Sequence, residues 1–340
     1  RQEFLERKKA AVFSRALSEA VRERLAEQQQ VILLLNRRGY STVVLCRACG
    51  SSVQCANCSI ALTHHRRENR LICHYCDYRA PVPENCPQCS SPHLYFLGEG
   101  SEKIEALVAQ QLPGARVIRL DRDTARGKQQ YETILADFKA GRYDILVGTQ
   151  MIAKGHDIHR VTLVGVVSAD IALGLPDFRA AERTFQLLTQ VAGRAGRGEL
   201  PGSVIIQTYF PEHYAIRCAA AQDYEAFYEK ELRFRRTMHY PPFTALANIL
   251  IRSQKMELAV KWSGELSRHL GERKWPGVRV LGPAAAPLAR LKQEFRYQFL
   301  VKSERRDTLH ALLRHCLAFA RSRDFPPTAM IIDVDPLSLL

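Results

Sequence analysis

Ile145-Leu146-Val147-Gly148-Thr149-Gln150-Met151-Ile152-Ala153-Lys154-Gly155-His156-Asp157-Ile158 is the stretch that decides the fold of this chain. It opens as an unbroken apolar run and passes into a polar loop punctuated by glycine. A strand buried on both faces of a sheet leaves that signature at its carboxyl end. The pattern recurs on either side. Val31 to Leu35 is a second continuous apolar run, ended by Asn36-Arg37-Arg38-Gly39-Tyr40, and Ala115 to Leu120, Val161 to Val167 and Ser203 to Thr208 read as further strands. Between them Ile104, Leu107, Val108 and Leu112 fall at helical spacing before Pro113-Gly114, and a helix carrying Ile134, Leu135 and Phe138 stops at Gly141. Alternating helices and apolar strands predict an α/β lobe, a parallel sheet with helices on both faces. Ligands of such sheets bind outside the carboxyl ends of the strands. Two segments are therefore candidates there: the loop after Gly148, and Gln186-Leu187-Leu188-Thr189-Gln190-Val191-Ala192-Gly193-Arg194-Ala195-Gly196-Arg197, with two arginines at the end of a predicted helix.

The lobe is interrupted by four Cys-x-x-Cys pairs, Cys46/Cys49, Cys55/Cys58, Cys73/Cys76 and Cys86/Cys89. Two intervening residues let a tight turn aim both sulfurs at one ion, so each pair is half of a tetrahedral site, and eight thiolates serve two zinc ions. A disulfide framework suits a small secreted domain, whereas this chain has 340 residues, no signal-peptide pattern and no apolar run long enough to cross a membrane. An all-thiolate shell leaves no position for water or substrate, so the ions are expected to hold a fold rather than to catalyse. Hydrophobic residues are sparse between 46 and 90, where Arg47, His64, His65, Arg66, Arg67, Arg70, His74, Tyr75, Tyr78 and Arg79 are interleaved with the ligands. Such a segment depends on metal for its stability. Spacing leaves the pairing of half-sites open. A nested arrangement, Cys46, Cys49, Cys86 and Cys89 on one ion and Cys55, Cys58, Cys73 and Cys76 on the other, brings the ends of the segment together, as an insertion requires.

Beyond residue 211 the pattern changes. Aromatics at helical spacing (Tyr224, Phe227, Tyr228) give way at Tyr240-Pro241-Pro242-Phe243 to strand-like runs at Ala245 to Ile251, Val278 to Leu281, Tyr297 to Val301 and Met330 to Val334. These alternate with helices near 256 to 271 and 307 to 322, predicting a small α+β domain over 222–340. Its basic residues include Arg290, Lys292, Arg296, Lys302, Arg305 and Arg306, and the whole chain carries a formal charge of +14. Charge of that sign fits a polyanionic partner, read through phosphates rather than bases.

The segments 145–158 and 186–197 resemble motifs V and VI of superfamily 2 helicases, and Asn36 to Ser41 resembles the start of that fold's second RecA-like lobe. A second lobe interrupted after its first strand by four Cys-x-x-Cys pairs resembles the bacterial replication-restart helicases of the PriA family. The resemblance covers essentially the whole chain. It implies a second RecA-like lobe over 1–211, a zinc insertion over 46–90 and a C-terminal domain that binds DNA and partners. In motif VI it implies that Gln190, Arg194 and Arg197 face the nucleotide, with Arg197 as the arginine finger that neutralises charge developing in phosphoryl transfer. In motif V it places Gly155 and Asp157 at the same cleft and Thr149 and Gln150 towards DNA, and Arg37 and Arg38, in the Asn36 to Ser41 segment, are further candidate DNA contacts. Asp170, at the end of the next strand, is a further candidate. It further implies forked and single-stranded DNA as substrate, 3′-to-5′ unwinding, the acidic tail of single-stranded DNA-binding protein (with Arg306 as contact) and other primosome proteins as partners, and a cytoplasmic location.

No Gly-x-x-x-x-Gly-Lys-Ser/Thr loop and no acidic Walker B segment occurs in the sequence. The chain alone is therefore not expected to hydrolyse ATP, and ATP and Mg²⁺ would be completed by an N-terminal half of a longer protein. Nothing in the residues demands an oligomer, and a monomer is expected. A zinc-containing scaffold that recognises branched DNA without catalysis is the alternative, and the paired Arg194 and Arg197 argue against it.

Overall fold

The apolar runs become strands in the computed structural model, which describes residues 13–35, 42–46, 52–57, 62–65, 69–73, 78–92, 94–97, 101–121, 124–125, 127–153, 158–167, 169, 173, 177–198, 200–208 and 210–339. In chain order the first elements are α1 (Arg15–Ala26), β1 (Gln30–Leu34), β2 (Thr42–Cys46), β3 (Thr63–His65), β4 (Arg70–Ile72), β5 (Arg79–Pro81) and β6 (Leu94–Leu97). They are followed by α2 (Ser101–Gln111), β7 (Val117–Leu120), α3 (Lys128–Lys139), β8 (Ile145–Gly148), a 3-10 turn at Gln150–Ala153, β9 (Val161–Val166), α4 (Ala180–Ala192) and β10 (Ser203–Ile206). The remainder comprises α5 (Tyr214–Ala220), α6 (Tyr224–Thr237), β11 (Ala245–Ser253), α7 (Met256–Gly271), β12 (Val278–Leu291), β13 (Glu294–Ser303), α8 (Arg306–Ser322) and β14 (Met330–Val334). The chain divides into two compact units: Arg1–Ser41, Gly98–Leu175 and Arg179–Glu231 form the first, and Thr42–Leu97, Pro176–Phe178 and Leu232–Leu340 the second.

The first unit is built on a parallel sheet of order β10-β9-β1-β8-β7, with Val31 opposite Ile145 and Leu163 on its two neighbours. Strand β1 shows why its sequence is apolar from Val31 onward. Ile32 and Leu34 join one buried cluster with Leu146, Val164 and Phe138 of α3, and with Phe185, Leu188 and Val191 of α4. Val31, Leu33 and Leu35 join the opposite cluster with Phe13, Leu17 and Val21 around α1, and Ile104 and Val108 of α2. A central parallel strand covered on both sides needs an apolar side chain at every position. Each fully buried Leu or Ile contributes about 1.5–3 kcal/mol relative to exposure. Helix α1 starts where Ser14 accepts a hydrogen bond from the Leu17 amide at 3.2 Å, satisfying an amide that would otherwise lack a helical partner.

The second unit contains two antiparallel sheets. The cysteine-rich segment forms the order β5-β4-β3-β2-β6, with β2 pairing β6 from Val43↔Leu97 to Cys46↔Leu94, so its entry and exit lie side by side. Residues 245–334 form the order β12-β13-β11-β14. Helices α7 and α8 pack on that sheet through Leu266, Leu270, Leu309, Leu312, Leu313 and Cys316 against Ile249, Ile251, Phe299 and Val301. The α+β expectation for this region therefore holds. One strand is longer than its sequence suggests: β12 runs from Val278 to Leu291 through Gly282-Pro283 and Pro287. Prolines read as strand breakers, but β12 is an edge strand, where an absent amide costs no ladder hydrogen bond.

Candidate functional site: a cysteine cluster and two sheet-edge loops

Seven cysteines are described, Cys46, Cys55, Cys73, Cys86, Cys89, Cys218 and Cys316, and all are free thiols. Cys46 closes β2, while Cys86 and Cys89 belong to the turn before β6, so the pairing of β2 with β6 brings them together. Their sulfurs lie within 4.8 Å of one another, and Cys46 Sγ is 3.5 Å from Cys89 Sγ. Four sulfurs at ~2.3 Å from one zinc ion stand about 3.8 Å apart, so these three thiols fit three corners of a ZnS₄ tetrahedron. Cys49 lies outside the described residues, as do Cys58 and Cys76.

The local turns are those of metal knuckles. The Gln88 amide donates to Cys86 Sγ at 3.4 Å, and the Asn57 amide donates to Cys55 Sγ at 3.3 Å, the same two-residue offset in each. The Cys73 amide donates to the Tyr78 carbonyl and the Cys86 amide to the Ser91 carbonyl, each at 2.8 Å and each five residues on. An amide donating to sulfur at this offset fixes the direction in which the thiol points. Cys55 and Cys73 are buried in one apolar cluster with Val44, Val53, Leu62 and Leu71. The segment thus has a small core of its own, built around the sulfurs.

In the first unit the two predicted loops meet at one end only. Thr149, partly buried, follows Gly148 at the carboxyl end of β8, and Gln150 opens the 3-10 turn beyond it. A side chain at Gly148 would place its Cβ 2.3 Å from the Leu120 carbonyl, so the strand can turn there only as glycine. Arg194 and Arg197 lie elsewhere. The Gly196 amide donates to the carbonyl of Val161, the first residue of β9, at 3.0 Å. This places the motif VI arginines at the amino edge of the sheet, which corrects the expectation that they sit outside the carboxyl ends. Helix α4 follows β9 and must run back antiparallel to the strands to reach the start of β10, so its last turn comes down at the amino edge. Segment 145–158 therefore leaves the sheet at one edge, at Thr149, and re-enters it at the other, where Ile158 is buried.

That amino-edge loop is tightly determined. Gly196 has φ +71°, and a Cβ on it would meet the Gly202 amide at 2.4 Å; one on Gly202 would meet the Gly196 amide at 2.2 Å. His159 Nδ1 lies 3.4 Å from the Arg197 carbonyl, and Gly198 allows the His159 carbonyl to approach. The exposed Arg197 turns its Nε back to the Gly193 carbonyl at 2.8 Å, capping the end of α4 and orienting its guanidinium. Gln190 is exposed one turn earlier, and Arg194 is partly buried. Gly155, Asp157, Asp170, Arg37 and Arg38 lie outside the described residues. Arg306 opens α8 and is ion-paired to Asp335 at 2.5 Å.

One polar group at the carboxyl edge escaped the sequence reading. Leu120 pairs with Gly148, so Asp121 comes next to Thr149. The Asp121 carboxylate faces the buried Arg119 at 3.2 Å, and accepts from the Thr124 amide at 3.0 Å. Its only sequence signal was an acidic residue directly after an apolar strand.

Three families match the chain. The helicase conserved C-terminal domain matches residues 94–199, the PriA DNA helicase Cys-rich region domain residues 55–81, and the primosomal protein N C-terminal domain residues 236–337. The replication restart protein PriA of Bacillus subtilis (strain 168) is 45% identical over 331 residues, covering 97% of this chain and 41% of that protein. The replication restart protein PriA of Synechocystis is 43% identical over 340 residues, covering 97% of this chain and 40% of that one. The chain thus spans about two fifths of the length of these curated relatives. Among solved structures, the Pyrococcus furiosus Hef helicase domain superposes with a TM-score of 0.29 at 19% identity over 58% of this chain and 26% of that chain. An overlap so slight adds nothing to the fold described above. With the cysteine module, the helicase C-terminal domain and the C-terminal domain matched in one chain, and 45% and 43% identity to curated PriA proteins across 97% of this chain, the protein belongs to the PriA family.

Proposed function

We propose that this chain is the second motor lobe, zinc module and C-terminal domain of an ATP-dependent 3′-to-5′ DNA helicase that recognises stalled or branched forks and initiates primosome assembly. The observation that carries the reading is the amino-edge loop, where the Gly196–Val161 hydrogen bond and the Gly196–Gly202 approach fix an Arg-Ala-Gly-Arg segment in one conformation. Arg197 and Arg194 would meet the phosphates of ATP and Mg²⁺ held by the remainder of the motor, with Gln190, Gly155 and Asp157 at the same cleft. A preoriented guanidinium stabilises charge in the transition state without reorganising, which is the finger's contribution. Thr149, Gln150, Arg37 and Arg38 follow the carboxyl ends of β8 and β1 and serve the DNA strand. This division gives the lobe a nucleotide edge and a DNA edge, joined by segment 149–160.

The zinc module takes two ions, Cys46, Cys49, Cys86 and Cys89 on one and Cys55, Cys58, Cys73 and Cys76 on the other. Four thiolates would close the shell of each ion, which would then supply structure and not a reactive water. Arg306 receives the acidic tail of single-stranded DNA-binding protein, whose carboxylate would displace Asp335. Asp335→Asn is then expected to tighten binding of an acidic tail peptide severalfold, and Arg306→Ala to weaken it, by fluorescence anisotropy.

The deciding experiment is DNA-stimulated ATP hydrolysis by the full-length product of the gene beside its Arg197→Ala variant. Loss of about 10³-fold or more in turnover with an unchanged melting temperature is expected of a finger. Turnover that survives the substitution would overturn the assignment, and no turnover in the parent would favour a DNA-binding scaffold.

A further inference from the structure

The hairpin between β12 and β13 ends on the cysteine module, within the second compact unit. Its two-residue tip is Lys292-Gln293, with φ +50° and +67°. A tip of this kind normally carries Asn-Gly, because both positions require the left-handed region. Lys and Gln occupy it at a conformational cost, which the surroundings must offset.

The surroundings are a metal knuckle. The Gln293 amide donates to the Asn57 carbonyl at 2.6 Å, and Gln293 Nε2 donates to Asn57 Oδ1 at 3.1 Å. Asn57 in turn donates its own amide to Cys55 Sγ. Leu291, the last residue of β12, packs against the apolar cluster that buries Cys55 and Cys73. Hairpin tip, Asn57 and ligand sulfur thus form one hydrogen-bonded chain between segments 236 residues apart in sequence.

We propose that this hairpin is a clamp holding the turn after Cys55 in its metal-binding conformation, with Gln293 as the positioning residue. A knuckle pre-ordered from outside loses less freedom on binding metal and reopens less often. The 245–334 domain therefore helps the second ion stay bound, while the ion sharing Cys46, Cys86 and Cys89 does not depend on it. The inference rests on the reading of the module as a two-zinc site.

The test is zinc release to a colorimetric chelator from the whole chain, after elemental analysis of the parent. Two zinc equivalents in the parent are a precondition, and fewer would refute the two-zinc reading itself rather than the clamp. Gln293→Glu keeps length and packing but sets a carboxylate against Asn57 Oδ1. It is expected to release one of the two equivalents about 10-fold faster and leave the other at the parental rate, a change of ~1.4 kcal/mol. Gln293→Gly relieves the left-handed position and retains the backbone donor, and should accelerate the same equivalent less. In an Asn57→Ala background, Gln293→Glu should add no further acceleration, as coupled partners require. Release of both equivalents at the parental rate in Gln293→Glu would overturn the clamp. So would equal acceleration of both, which signals general loosening.

Discussion

Gly202 shows how single residues decide this molecule. Its hydrogen stands where any Cβ would strike the Gly196 backbone, and the two glycines let the arginine loop fold on itself at the foot of β9. Gly202→Ala should cost about 2–3 kcal/mol by urea denaturation, because the obstruction is backbone and cannot rotate away. It should also reduce ATP turnover in the full-length protein. His213 is a second such residue. Burial holds its ring below the ordinary value of 6.5, with the Glu231 carboxylate opposing the shift more weakly. Its Nδ1 accepts the Ala215 amide at 3.2 Å, which only the neutral ring can do. As pH falls through 6.5 the unfolded chain takes up a proton that the folded chain resists, so stability declines on the acid side until the folded ring itself titrates. His213→Asn retains an N-cap acceptor for α5 and should flatten that slope in melts recorded from pH 7 to pH 5.

At the scale of elements, the sheet was legible because Val31–Leu34 of β1, all of β8 and all of β9 but Thr162 are apolar, a composition that a doubly covered parallel strand sustains. Helix α4 was legible too, but not where it ends. Which edge of the sheet receives Arg194 and Arg197 follows from the return direction of a crossover helix, a property of connectivity rather than of residue type. Strand β12 was read short for another reason: its prolines are harmless only on an edge, and edge status is not written in the strand itself. The approach of Cys86 to Cys89 was legible from Cys-x-x-Cys spacing, since a turn of that length aims both sulfurs at one point. Cys86→Ser should remove one zinc equivalent and leave the other, by elemental analysis after gel filtration.

For the whole molecule, the division into two compact units predicts that the cysteine-rich segment and the parallel sheet are separable in stability. Chelation should abolish amide protection in Val43–Leu97, where sparse apolar area cannot offset chain entropy, and leave Val117–Leu120, Ile145–Gly148 and Val161–Val166 protected, in hydrogen–deuterium exchange. Simultaneous loss of protection in both units would show that the parallel sheet depends on the ions. Among the described residues no helix is long and apolar enough to cross a membrane.

What the sequence by itself determined is chemistry that travels with residue type and short spacing. Eight thiols in pairs, apolar strands separated by amphipathic helices, an Arg-Ala-Gly-Arg segment and a net charge of +14 were each readable without coordinates. What only the tertiary structure decided is which of these features meet. Cys46 joins Cys86 and Cys89 because β2 pairs with β6; Asn57 meets Gln293 because a hairpin reaches the knuckle; Arg197 lies by His159 because α4 runs back along the sheet. Contacts across such sequence separations are set by strand pairing and crossover direction. Those depend on the packing of whole elements, and local patterning carries no record of them.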